Sequence, residues 1–134
     1  MIERIIIALA FLVIGIAVCR TVTRRQLRKA AVNVFTDPLL HEVAPGIPTI
    51  VYFTTPDCAP CRLQQTPYLQ KLQSELGENG VKIIRVDAAE HPDTATRWGV
   101  FSVPTTFVLN EFGQPRNVHN GVVDPDTLKR ELLA

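Results

Sequence analysis

Two thiols three positions apart, Cys58 and Cys61, are the residues of this 134-residue chain best suited to chemistry. A thiolate attacks disulfides, and a second cysteine one helical turn later is close enough to form a bond with the first. The pair lies in Thr54-Thr55-Pro56-Asp57-Cys58-Ala59-Pro60-Cys61-Arg62. Before it, Thr49-Ile50-Val51-Tyr52-Phe53-Thr54 reads as a strand rich in β-branched and aromatic residues. After it, Leu63, Leu69, Leu72 and Leu76 recur at helical spacing until Gly77 stops the run. A cysteine that opens a helix faces unpaired N–H groups and the positive end of the helix dipole, both of which stabilise a thiolate. Cys58 is therefore the expected nucleophile and Cys61 the resolving thiol. Pro60 suits an early helical position, where its missing N–H is not needed.

The length allows one domain, and part of it is taken by an apolar segment at the start. The net charge of +1 hides a split. Residues 1–36 hold six basic residues against Glu3, whereas residues 37–134 hold eight basic and twelve acidic residues. A mildly acidic domain without a basic stripe does not read as a nucleic-acid binder. Three cysteines are too few for a disulfide-stapled secreted scaffold. The third, Cys19, ends the apolar segment and reads as a small hydrophobe, with acylation or disulfide exchange as the alternatives. Val18 stands where a lipoprotein signal needs a small residue.

Residues 5–18 carry no polar side chain, and the run extends through residue 23 if Arg20 snorkels toward head groups. As a helix, residues 5–23 span about 28 Å, close to the ~30 Å hydrocarbon thickness. The expectation is an uncleaved transmembrane anchor over residues 1–23. A cleaved signal peptide has a similar length, but the start is weakly basic and no A-x-A site follows. Arg20, Arg24, Arg25, Arg28 and Lys29 follow the span, with Arg4 alone before it. The positive-inside rule then gives a single-pass protein with its C-terminal domain in the cytoplasm, the opposite orientation being the alternative. Residues 24–34 read as a basic juxtamembrane linker that also attracts anionic lipid.

The remaining chain, residues 35–134, alternates element types. Ala31-Val32-Asn33-Val34-Phe35 suits a short strand or the continuation of the preceding helix. Asp37-Pro38 is a helix start leading into Leu39-Leu40-His41-Glu42-Val43. Val81-Lys82-Ile83-Ile84-Arg85-Val86 is a strand, and His91-Pro92-Asp93 opens a short helix that ends near Trp98-Gly99. Thr105-Thr106-Phe107-Val108-Leu109 and Arg116-Asn117-Val118-His119-Asn120 form a hairpin, and Asp124-Pro125-Asp126 opens a final helix with Leu128 and Leu132 on one face. The order implies an α/β fold, a mixed sheet flanked by helices.

These features together resemble the thioredoxin family over roughly residues 35–134. Besides the C-A-P-C motif, the resemblance rests on Val86-Asp87, His91-Pro92, Trp98-Gly99-Val100, Val103-Pro104-Thr105, Gly113 and Gly121. It implies a thioredoxin-like fold in which Pro104 is cis and lies against the cysteines. It also implies a substrate surface of Ala59, Pro60, Val103, Pro104 and Gly121, with the Val103 backbone pairing with an extended substrate segment. Gly121 also has a plain turn reading, and Trp98 reads as a packing residue. The 43-residue step from Cys61 to Pro104 excludes the inserted helical domain of periplasmic disulfide oxidases and the insert of cytochrome c maturation thioredoxins.

Four positions depart from the family pattern. Tyr52 replaces the buried aspartate that assists proton transfer at the second cysteine, and Ile83 replaces its lysine partner. Asp57 takes the place of the tryptophan before the first cysteine, opposing thiolate formation, with Arg62 as an offset. Pro67 falls one place late, implying a kink with a local register change.

The resulting expectation is a membrane-tethered thiol–disulfide oxidoreductase that acts on protein disulfides without metal or organic cofactor. Its electrons would come from a thioredoxin-reductase-like or membrane donor. The alternative is a non-catalytic binding or assembly factor at the membrane. A zinc site built from Cys58, Cys61 and two of His41, His91 and His119 lacks the expected ligand spacing.

Overall fold

The computed structural model describes the backbone of residues 1–34 and 46–133, and the side chains of residues 1–29 and 46–133. The first element, α1 (Ile2–Val34), is one helix of 33 residues, about 50 Å long at 1.5 Å per residue. Its apolar half packs on none of the described residues, and Ile5, Leu12 and Val13 are all exposed. It is long and apolar enough to cross a membrane, and a signal sequence has the same character. Residues 31–34 take the helical of the two conformations open to them, so the basic stretch after the apolar run continues α1. Phe35, the Asp37-Pro38 helix start and His41 lie outside the described residues.

Four strands form one sheet, β1 (Thr49–Thr54), β2 (Lys82–Asp87), β3 (Thr105–Leu109) and β4 (Pro115–Asn120), in the order β2-β1-β3-β4. β1 runs parallel to β2 and antiparallel to β3, which pairs antiparallel with β4. The helices are α2 (Thr66–Leu76), α3 (Pro92–Arg97) and α4 (Pro125–Leu133). This is the expected mixed sheet with helices, including the hairpin.

All six residues of β1 are buried, as a central strand covered on both faces requires. Successive side chains point to opposite faces, so the strand feeds two apolar layers. Ile50 and Tyr52 join Val108, both cysteines, Leu69 and Leu72 of α2, and Leu128 of α4. Val51 and Phe53 join Val86, Phe107, Leu109, Ala95 and Trp98. In this second layer Phe53, Trp98 and Phe107 make three tilted or edge-to-face pairs, with centroids 5.1–5.9 Å apart. Trp98 is fully buried, in agreement with its packing reading.

The redox helix departs from the expected face. Its first part, Cys61–Gln65, is a π-helical turn, closed by the Thr66 N–H donating to the Cys61 carbonyl. A π turn holds one residue more than an α turn, so it absorbs the one-residue displacement of Pro67. The implied register change is thus this wider turn. The buried stripe becomes Cys61, Gln65, Leu69 and Leu72, and Leu63, expected to share the leucine face, points outward at 68 % exposure.

Candidate active site

β1 delivers Thr54 to a turn in which the Cys58 N–H donates to the Thr55 carbonyl at 3.2 Å. Pro56 and Asp57 fill the turn, and helical structure starts at Ala59. The Arg62 N–H donates to the Cys58 carbonyl at 3.1 Å, tying the nucleophile's backbone into the first helical turn. Cys58 and Cys61 form a disulfide with Cα atoms 5.2 Å apart. The Cys61 N–H points at the Cys58 sulfur at 3.2 Å, the donor that the helix start was expected to supply. Of the two sulfur residues, Cys58 is the more accessible at 8 % exposure against 1 % for Cys61.

The strand register brings distant segments to this end of the sheet. Phe53 pairs with Thr105, and Thr105 with Asn120, so the start of β3 and the end of β4 flank the end of β1. Thr105 is preceded by the cis Val103–Pro104 bond, as the resemblance implied. Val103 packs against the apolar layer that contains both cysteines, and its backbone lies outside the β3–β4 ladder. The Gly121 N–H donates to the Pro104 carbonyl at 2.9 Å, and Gly121 adopts φ +127°, where a side chain would be strained. Ala59 and Pro60 are exposed, Val103 and Gly121 half-buried, and Pro104 buried.

Tyr52 is buried beside the cysteines, with a single long contact of 3.4 Å between its hydroxyl and that of Thr66. Among the described residues no carboxylate or lysine is buried, so no acid–base pair sits behind Cys61. Asp57 and Arg62 are both exposed, and no ion pair joins them. No group of three or more possible metal ligands occurs among the described residues.

Gln65 is a site residue that the sequence reading missed. Its amide is fully buried and bonds Val123 both ways: Nε2 donates to the carbonyl at 3.1 Å and Oε1 accepts from the N–H at 2.8 Å. A chain of contacts therefore runs from the redox helix through Gln65 to Val123, and through Gly121 to Pro104. The available signal was its spacing, four residues after Cys61 and four before Leu69.

Comparison with known proteins agrees with this geometry. The family profile described as Thioredoxin matches residues 30–134. Thioredoxin 1 of a Nostoc species is 30 % identical over 104 residues, covering 77 % of this chain and 94 % of its own. Thioredoxin of Bacillus subtilis is 36 % identical over 70 residues, covering 52 % of this chain and 64 % of its own. Among solved structures, thioredoxin-2, described as a component of the malaria parasite protein secretion machinery, superposes with a TM-score of 0.61 at 21 % identity, covering 69 % of this chain and 88 % of its own. A cysteine pair that forms a disulfide on this scaffold supports protein thiol–disulfide oxidoreductase activity. The chain belongs to the thioredoxin family.

Proposed function

We propose that the chain reduces disulfides of protein substrates while held at a membrane by α1, with Cys58 as nucleophile and Cys61 as resolving thiol. The carrying observation is the closed Cys58–Cys61 pair, with the sulfur of the more exposed residue, Cys58, receiving the Cys61 N–H. In the reduced state that N–H and the helix start favour the Cys58 thiolate. The thiolate attacks a substrate disulfide, one substrate sulfur leaves as a thiolate and takes up a proton, and a mixed disulfide remains. Cys61, after losing its proton, attacks the Cys58 sulfur and expels the second substrate thiol. The two electrons gained by the substrate come from the Cys58–Cys61 dithiol, which is left oxidised as the disulfide. A dithiol donor restores the pair, either a thioredoxin-reductase-like protein or a membrane carrier. With no buried carboxylate behind Cys61 among the described residues, its proton passes to water or another group. Ala59, Pro60, Val103 and Gly121 form the surface that holds the substrate, and Pro104 bounds it.

Residues 1–23 act as the anchor, residues 24–34 as a basic helical extension, and residues 35–134 as the redox domain. The basic flank favours a cytoplasmic domain, where reduction is the expected direction. Insulin reduction by the full chain with a dithiol donor tests the activity, and Cys58→Ser should return it to the uncatalysed rate. Equal rates for both would contradict the proposal. A non-catalytic assembly factor would instead work in cells with both cysteines replaced by serine. A membrane-impermeant thiol reagent applied after reduction reports which side carries Cys58.

A further inference from the structure

The anchor helix is docked on the domain, and it docks at the active-site edge. Gln26 is 4 % exposed, and its Nε2 donates to the Gly99 carbonyl at 3.1 Å and to Asn120 Oδ1 at 2.9 Å. Asn120 Nδ2 donates back to Gln26 Oε1 at 3.0 Å, so the two amides satisfy each other. Gly99, at φ +74°, admits the close approach, since a Cβ there would lie 3.2 Å from Lys29 Cδ. Asn120 ends β4 level with Thr105, two strands from the end of β1 and next to Gly121. With strands about 4.8 Å apart, Gln26 is moored some 10 Å across the sheet from the strand that delivers Cys58. No residue before Val22 is even half-buried, so α1 leaves the domain at this edge and continues alone.

Gln26 lies three residues beyond Thr23 and eight beyond Val18, the two limits of the apolar run. At 1.5 Å per residue, the active-site edge stands about 5–12 Å beyond the hydrocarbon boundary. Head groups fill about 5–8 Å of that depth on each side of a bilayer, so the edge lies within or just above them. Two apolar side chains are exposed at the same edge: Phe101, just before Ser102-Val103-Pro104, at 67 %, and Val122, next to Gly121, at 40 %.

We propose that the substrates are disulfides in membrane proteins lying at or just above the head-group layer, because α1 is a rigid strut that turns Cys58 toward the bilayer. This rests on the redox and anchor readings above, and it adds a distance limit that neither contains. Gln26 and Asn120 are positioning residues, without contact to the sulfurs.

The test uses the full chain in liposomes with dithiothreitol as donor, after subtraction of the uncatalysed rate. Two single-span probe peptides carry a disulfide loop either about 5 or about 30 residues from the span, and insulin serves as the soluble control. The near loop should be reduced about tenfold faster than the far one, as expected for a tether that fixes local concentration. A flexible Gly/Ser insert of about 12 residues between Arg24 and Arg25 should bring the ratio close to one while insulin reduction stays unchanged. Gln26→Ala should lower the ratio part of the way. A ratio near one for the unaltered chain, with normal insulin reduction, would overturn the inference and leave the redox reading standing. So would a ratio that survives the insert. Absence of insulin reduction would instead overturn the redox reading, and the inference with it.

Discussion

On the face covered by α2 and α4, the sheet meets Cys58, Cys61, Tyr52 and Gln65, whereas on the face covered by α3 and the end of α1 it meets Phe53, Trp98 and Phe107. The first face holds its parts with hydrogen bonds between segments far apart in sequence. The second holds them with aromatic rings at van der Waals distance and carries the Gln26–Asn120 amide pair that moors α1. Asn120 lies two residues from Val118, which packs into the aromatic layer, so the mooring of α1 belongs to the second face. The division separates chemistry from positioning. Damage to the aromatic face should cost stability and orientation and spare the sulfur chemistry. Damage to the cysteine face should cost turnover.

The largest expected effect on stability is at Trp98. Trp98→Ala removes a fully buried ring from two aromatic contacts and should lower unfolding free energy by about 3–5 kcal/mol. Insulin reduction per folded molecule should stay within about twofold, since the site lies in the other layer. Urea unfolding together with the insulin assay checks both halves. A large loss of turnover at unchanged stability would erase the distinction between the faces.

Gln65→Ala comes next. It leaves the Val123 N–H and carbonyl without partners in a buried place, at a cost of about 1–3 kcal/mol. Unlike Trp98→Ala, it should also slow reduction, because Val123 and Gly121 then lose their tie to the redox helix. Gly99→Ala should be smaller, on the order of 1 kcal/mol, since alanine is strained at φ +74° and presses on Lys29. Its distinctive readout is faster proteolysis around Gln26 with insulin reduction retained.

The smallest effect concerns pH. Thr127 donates to Asp124 at the start of α4, through its hydroxyl first and its N–H second, and these bonds hold the carboxyl below its ordinary range. A carboxyl lowered in the folded state stabilises above its unfolded value, and that contribution disappears as pH falls through the folded value. The difference in Tm between the parent chain and Asp124→Ala should therefore be constant near neutrality and shrink below about pH 4.

Much of the fold was readable in the sequence wherever the signal is local. β-Branched runs gave β1 and β3, Asp124-Pro125 gave the start of α4, and the C-x-x-C spacing gave the cysteine pair, while Pro104 was expected only through the family resemblance. What escaped depends on partners far along the chain. Gln65 meets Val123 across 58 residues and Gln26 meets Asn120 across 94, and nothing beside a glutamine announces a distant amide. Leu63 escaped for a different reason: the late Pro67 announced a register change but not its form, and the π turn rotates Leu63 into solvent.

The assignment of nucleophile and resolving thiol is open to one direct measurement. Reduced Cys61→Ser chain, mixed with a disulfide-bonded protein substrate and quenched with acid, should accumulate a mixed disulfide that peptide mass spectrometry places on Cys58. Adducts confined to Cys19, or no adduct under conditions where the parent chain reduces the substrate, would contradict the roles given to Cys58 and Cys61.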